Sequence, residues 1–248
     1  MPPLNRKRLD VLLVERGLVP SRHRAQALIL SNAVLVNDQP LTKAGTLLGN
    51  DVTIRLREDP NPFVSRGGMK LSGALDHWGL HPEGVVALDL GISTGGFTDC
   101  LLQRNAKRVY GVDVGKGQVA WKLQQDPRVV LFEGRNARFF DPALLPEPVS
   151  WIVADLSFIS LTLVLPVMWK ALETGGICLP MVKPQFEVGR ADVGKQGVVR
   201  DPDKREHAVD RVQKFAEELG FLCHGRVASP LPGPKGNVEF FLYLERRP

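Results

Sequence analysis

Residues 85–97 read VVALDLGISTGGF, an apolar run carrying one aspartate, then glycines at 91, 95 and 96, then the start of a helical pattern. A short apolar run closed by glycine predicts a fully buried strand, and glycine supplies the positive φ angles of a tight strand-to-helix turn. Six further runs repeat the theme: RVYGVDV (108–114), VVLFEG (129–134), VSWIVADL (149–156), GICLPMVKP (176–184), FLCHGRVA (221–228) and VEFFLYL (238–244). Helical patterns separate them, and RGGMKLSGALDHWG at 66–79 precedes the first. Seven strands alternating with helices predict a doubly wound α/β domain, which binds its ligand beyond the carboxyl ends of the strands. A late helix is expected from Asp201 as N-cap, with Pro202 in first position, to Gly220. The charged, glycine-rich VGRADVGKQGVVRD at 188–201 reads as a mobile loop near the ligand edge.

The chain has 248 residues, enough for one large domain with a small one appended. Cys100, Cys178 and Cys223 form no C-x-x-C pair. This argues against a disulfide framework or a thiolate zinc site and for a reducing, cytoplasmic setting. The five histidines show no ligand spacing, so no metal is expected. The N-terminal MPPLNRKRLD places charges where a secretory signal needs an apolar core. The longest uncharged stretch, 156–169, is short for a bilayer and holds Ser157, Ser160, Thr162 and Pro166. It reads as buried core, so neither export nor stable membrane association is expected. A net charge of +5 favours polyanionic partners.

Residues 5–57 have a different texture. Leu9, Leu12 and Leu13 recur at helical spacing up to Gly17, and Ser21 offers an N-cap to a second helix carrying Ala25, Leu28 and Ile29. Strands are expected at 34–36 and 52–56, with a turn over Asn37, Asp38, Gln39 and Pro40. Pro60 and Pro62 mark a stiff linker, giving domains at 1–59 and 66–248 joined by 60–65. The basic residues Arg6, Lys7, Arg8, Arg16, Arg22 and Arg24 outweigh Asp10 and Glu15. The stretch RLDVLLVERGLVPSRHRAQALILSNAVLVND resembles the alpha-L RNA-binding domain of a ribosomal small-subunit protein, pseudouridine synthases and tyrosyl-tRNA synthetases. Where that family ends its second helix with Gly, this chain has Asn32, the next most tolerant residue of a left-handed conformation. The resemblance implies RNA contacts by Arg6, Lys7, Arg8, Arg22 and Arg24, extended by Arg66.

The turn Gly91, Ser93, Thr94, Gly95, Gly96 and Phe97 departs from G-x-G-x-x-G because Ser93 stands where a dinucleotide binder needs its second Gly. Asp113 follows at the distance of a ribose-binding carboxylate, and Asp89 lies at the tip of the first strand. A site edged by Asp89, Asp113 and Asp155 suits the positive sulfonium of S-adenosylmethionine better than a pyrophosphate. Asn136 and Ala137, past the third strand, are expected near its adenine. Lys70, Asp155, Lys183 and Glu239 are ionisable residues where apolar ones would suffice; Asp155 and Lys183 end strands at the ligand edge.

SRGGMKL, DLGISTGGFTD, ADLSF, VKPQFE and NVEFFLYL, in this order, resemble the TlyA family, which joins an alpha-L domain to an FtsJ-like methyltransferase domain with a Rossmann-like sheet. The resemblance implies 2′-O-methylation of ribosomal RNA, on cytidines, with ribosomal subunits as partners. It also implies a catalytic Lys70, Asp155, Lys183 and Glu239. Lys183 would bind and activate the ribose oxygen, Lys70 would supply a second cation, and the two carboxylates would orient the amines. The alternatives are a membrane-active protein, after the haemolysin label borne by family members, and a non-catalytic RNA-binding assembly factor.

Overall fold

The computed structural model describes residues 6–19, 21–57, 61–189 and 192–248. Pro60, where the expected linker begins, and Arg190 and Ala191 of the expected loop lie outside the described residues. The chain divides into two compact units between residues 60 and 61.

The first unit comprises β1 (Lys7–Arg8), α1 (Leu9–Glu15), α2 (Arg22–Leu30), β2 (Val34–Val36), β3 (Gln39–Pro40), β4 (Leu47–Leu48) and β5 (Ile54–Leu56). Leu9, Leu12 and Leu13 of α1 bury against Ala25 and Ile29 of α2 and against β2. Ser21 caps α2, its hydroxyl accepting from the Arg24 N–H at 3.3 Å, and Asn32 takes the left-handed conformation at φ 60. The turn is shorter than expected. Asn37 (φ 48) and Asp38 (φ 63) make it alone, while Gln39 and Pro40 pair with Val36 and Leu35. Two consecutive positive-φ residues match the twist of a two-residue hairpin, so the strands resume at once. The β1–β4 pair has two residues per strand, too few to leave a periodic signature.

The second unit runs α3 (Arg66–Trp78), β6 (Val86–Leu90), α4 (Gly96–Gln103), β7 (Arg108–Asp113), α5 (Trp121–Gln124), β8 (Val129–Glu133), β9 (Val149–Ala154), α6 (Leu165–Ala171), β10 (Leu172–Val182), α7 (Pro184–Glu187), α8 (Pro202–Glu218), β11 (Phe221–Ala228) and β12 (Phe240–Arg246). Its seven-stranded sheet has the order β11-β12-β10-β9-β6-β7-β8. All ladders are parallel except those of β12. Strand order reverses between β6 and β9, and the crevice at that switch point is where such sheets bind ligands. Val86, Leu88 and Leu90 face α6 and α8, while Ala87 faces α3 and α4. The alternation with helices is incomplete: short 3₁₀ turns follow β8, and no α-helix joins β11 to β12.

Two further expectations change. The stretch 156–169 is core only in part: Leu161, Val164, Leu165 and Met168 are buried, but Phe158 is 91% exposed. The end of the 188–201 segment is packed, with Val198 and Val199 buried and the Val199 N–H donating to Asn237 Oδ1 at 3.2 Å. Two apolar side chains and an amide anchor overcome the loop-like composition. Among the described residues, no helix is long and apolar enough to cross a membrane.

Candidate active site

Two adjoining clefts open at the switch point. The larger, about 950 Å³, is lined by Asp113, Val114, Asn136, Ala137 and Phe139. The smaller, about 470 Å³, is lined by Arg66, Lys70, Thr94, Gly96, Phe97 and Lys183. Gly91, Ser93, Asp155 and Ser157 belong to both. Gly91 is required at φ 86, since a Cβ there would lie 2.7 Å from the Asp155 carbonyl oxygen.

The larger cleft fits S-adenosylmethionine. Asp113 Oδ2 accepts from the Ser93 N–H at 2.8 Å and Oδ1 from the Gly115 N–H at 2.7 Å. A donor that a pyrophosphate would need is therefore engaged, while each Asp113 oxygen keeps a lone pair for a ribose hydroxyl. Asp113 and Asp155 place negative charge at the cleft, as a sulfonium requires, and Val114, Ala137 and Phe139 give it an apolar wall. Asn136 Oδ1 also caps a 3₁₀ turn, accepting from the Arg138 N–H at 2.9 Å.

Asp89 is placed differently from the sequence expectation. It is 1% exposed and lines neither cleft. Its Oδ2 accepts from the Thr98 N–H at 3.1 Å and hydroxyl at 2.7 Å, pinning the start of α4 beneath the turn. Burial, the largest cause, pushes its carboxyl up to about 7. A strand-tip position does not reveal which face a side chain takes, and Asp89 takes the α4 face. Gly95, at φ 96, shapes the turn without lining a cleft.

The four ionisable residues form two pairs. Lys70 Nζ lies 2.5 Å from Glu239 Oε2 and Lys183 Nζ 2.6 Å from Asp155 Oδ1, with both lysine side chains 9% exposed. Each lysine thus has its own carboxylate, Glu239 for Lys70 and Asp155 for Lys183. Glu239 lines neither cleft, and its Oε1 is buried without a hydrogen-bond partner among the described residues, while Asp155 Oδ1 meets its lysine off the angle of a hydrogen bond. Lys183 Nζ does donate to Ser157 Oγ at 3.0 Å. Ser157 and Phe158 escaped the sequence reading although ADLSF contains both, because no pattern marks a hydroxyl or a positive φ. Phe158, at φ 64, packs on Phe186 with ring centroids 5.1 Å apart.

In the first unit the basic residues separate into two sets. Arg8 Nε and Arg22 Nη2 hold the fully buried Asp10 at 3.0 and 2.9 Å, and Lys7 pairs with Glu15 at 2.7 Å. The Arg8 hydrogen bond is the main reason the Asp10 carboxyl sits far below the usual carboxylate range. Arg6 and Arg24 are exposed and make no ion pair among the described residues. Arg66, also exposed, donates to the Pro232 carbonyl at 3.4 Å.

A seven-stranded sheet with one antiparallel strand, a phosphate-averse glycine turn and an acidic-edged cleft define a methyltransferase of the S-adenosylmethionine-binding class. The chain belongs to the FtsJ-like methyltransferase family, whose pattern matches residues 63–246, and an S4 domain matches residues 7–54. It is 46% identical to a 16S/23S rRNA (cytidine-2′-O)-methyltransferase TlyA from Mycobacterium tuberculosis, covering 96% of this chain and 90% of that one. It is also 38% identical to Hemolysin A of Brachyspira hyodysenteriae, covering 96% and 99%. A solved structure bearing a hemolysin name, from Streptococcus thermophilus, superposes with a TM-score of 0.77 at 40% identity, covering 98% of this chain and 90% of that one.

Proposed function

We propose that this protein transfers the methyl group of S-adenosylmethionine to the 2′-hydroxyl of a cytidine ribose in ribosomal RNA, with a ribosomal subunit as the presented substrate. The observation that carries this reading is that Lys70 and Lys183, each paired with a carboxylate, line a cleft that shares Gly91, Ser93, Asp155 and Ser157 with the cofactor cleft. A ribose hydroxyl is a weak nucleophile and must be desolvated, aligned and relieved of its proton. S-adenosylmethionine, when bound, supplies an electrophilic methyl on a sulfonium. Lys183, as the neutral amine, accepts the departing proton of the ribose oxygen, and Asp155 compensates the ammonium that results. Lys70 lines the same cleft, with the fully buried Glu239 behind it as its counter-charge. Asp113 and Asn136 hold the cofactor ribose and adenine ends. Phe158 offers an exposed aromatic face on which a splayed base can stack.

Residues 1–59 serve as the RNA-docking domain, 60–65 as a linker and 66–248 as the transferase domain. Arg6 and Arg24 are the docking cations, with Arg66 as a contact at the transferase cleft. The deciding experiment is transfer of tritiated methyl to isolated 30S and 50S subunits that lack the modification, followed by mapping of ribose methylation. Label on a 2′-oxygen supports the reading. Cofactor binding without label on either subunit would sink the substrate assignment, and dye release from liposomes by the purified protein would favour a membrane-active role.

A further inference from the structure

Lys183 has a second near partner besides Asp155, and it is the better aligned of the two. Its amine donates to Ser157 Oγ at 3.0 Å, whereas Asp155 Oδ1 stands at 2.6 Å but off hydrogen-bond angle. We propose that Ser157 is a positioning residue that fixes the Lys183 amine, and that the buried Glu187 clamps the loop presenting Ser157. This rests on the reading of Lys183 given above.

Ser157 lines both clefts, so it stands where a methyl donor and a ribose oxygen would meet. A lysine amine rides on a flexible four-carbon stem, and holding it in one geometry requires fixed acceptors. The loop carrying Ser157 is itself held. Glu187 Oε1 accepts from the Leu161 N–H at 2.8 Å. Its Oε2 accepts from Ser160 Oγ at 2.7 Å and from Arg211 Nη2 at 3.1 Å. Arg211 of α8 also donates to the Glu187 backbone carbonyl. Glu187 is 3% exposed and closes α7, the helix that starts directly after Lys183. One carboxylate therefore ties the loop after β9 to the helix after β10, the two elements whose ends carry Asp155 and Lys183. Burial raises the Glu187 carboxyl while its donors oppose that shift, as befits a group committed to an internal clamp.

The test is steady-state methyl transfer with the full-length protein and the subunit that accepts methyl. Ser157→Ala is expected to lower kcat by about 10- to 100-fold, up to the bottom of the range for groups that handle the proton themselves, with the RNA KM and the cofactor-product affinity within about twofold. Ser157→Thr, which keeps the hydroxyl, should recover most of the loss. Glu187→Gln replaces one accepting oxygen by a donor and should lower kcat about tenfold, again with KM unchanged. A Ser157→Ala enzyme with wild-type kcat, or with its loss confined to KM, overturns the role of Ser157. Wild-type kcat in Glu187→Gln overturns the clamp. Full activity of Lys183→Met would instead refute the underlying reading of Lys183, a result independent of either variant.

Discussion

Asp10 in the first unit and Glu239 in the second are both fully buried carboxylates touching a cation, yet their surroundings are opposite. Asp10 accepts from Arg8 at 3.0 and 3.1 Å, Arg22 at 2.9 Å and Gln26 at 3.0 Å. Both of its oxygens are engaged, and the two arginine side chains remain 47% and 56% exposed. Glu239 has one buried lysine and an oxygen with no hydrogen bond among the described residues. A saturated carboxylate fed by half-exposed cations is a fastener, here joining α1 to α2. Glu239 instead backs a single lysine that lines a cleft while itself lining neither, so it acts as the counter-charge of a site residue.

The sharpest way to break this contrast is Lys183→Ala. It is expected to cut kcat by about 10²- to 10⁴-fold while cofactor binding, followed by calorimetry, persists; retained turnover would reduce the cleft pairs to fasteners like Asp10. Next comes Lys70→Met, which strands Glu239 in the interior and should cost about 3–5 kcal/mol in denaturant unfolding. Lys70→Met with Glu239→Leu should regain most of that stability but none of the activity; regained activity would remove the pair from the site. Asp10→Asn should cost less, about 1–2 kcal/mol, because its cations already sit half in solvent, and the loss should appear in the unfolding of the first unit with cofactor affinity unchanged. The smallest effect is expected from Arg24→Ala, a few-fold loss of RNA affinity with the salt slope reduced by about one and stability unchanged. Arg22→Ala should lose both affinity and stability, since Arg22 also holds Asp10.

A third buried carboxylate, Asp89, refines the contrast through pH. The folded-state value of Asp89 is raised from 3.8 to about 7. Its stabilising contribution is therefore complete below 3.8 and lost as pH rises through about 7. Asp89→Asn should flatten the pH dependence of unfolding across that window, and an unaltered profile would show that Asp89 does not titrate there.

Much of this was readable in the linear order of residues. The seven apolar runs, the Gly91–Phe97 turn and the Ser21, Asp201 and Pro202 helix starts obey local rules of periodicity, backbone conformation and capping, which act within a few residues. The fate of individual charges did not follow from such rules. Arg8 and Arg22 stand in a run of basic residues, and nothing local reveals that Asp10 holds both. Asp89 looks like a cofactor ligand at a strand tip, but the pleat turns it towards Thr98. Lys70 and Glu239 stand 169 positions apart, and nothing in either neighbourhood reveals their contact.

The order of residues therefore accounts for the strands, the glycine turn, the two-part organisation and the types of side chain available for chemistry, because each depends on short-range sterics and on burial of apolar runs. Folding in three dimensions assigned the partners: Lys70 to Glu239, Lys183 to Asp155 and Ser157, and Glu187 to the loop that carries Ser157. Those contacts join residues from different strand ends and loops. Their geometry depends on how the crossovers bring the carboxyl ends of β9 and β10 together, and no local propensity encodes it.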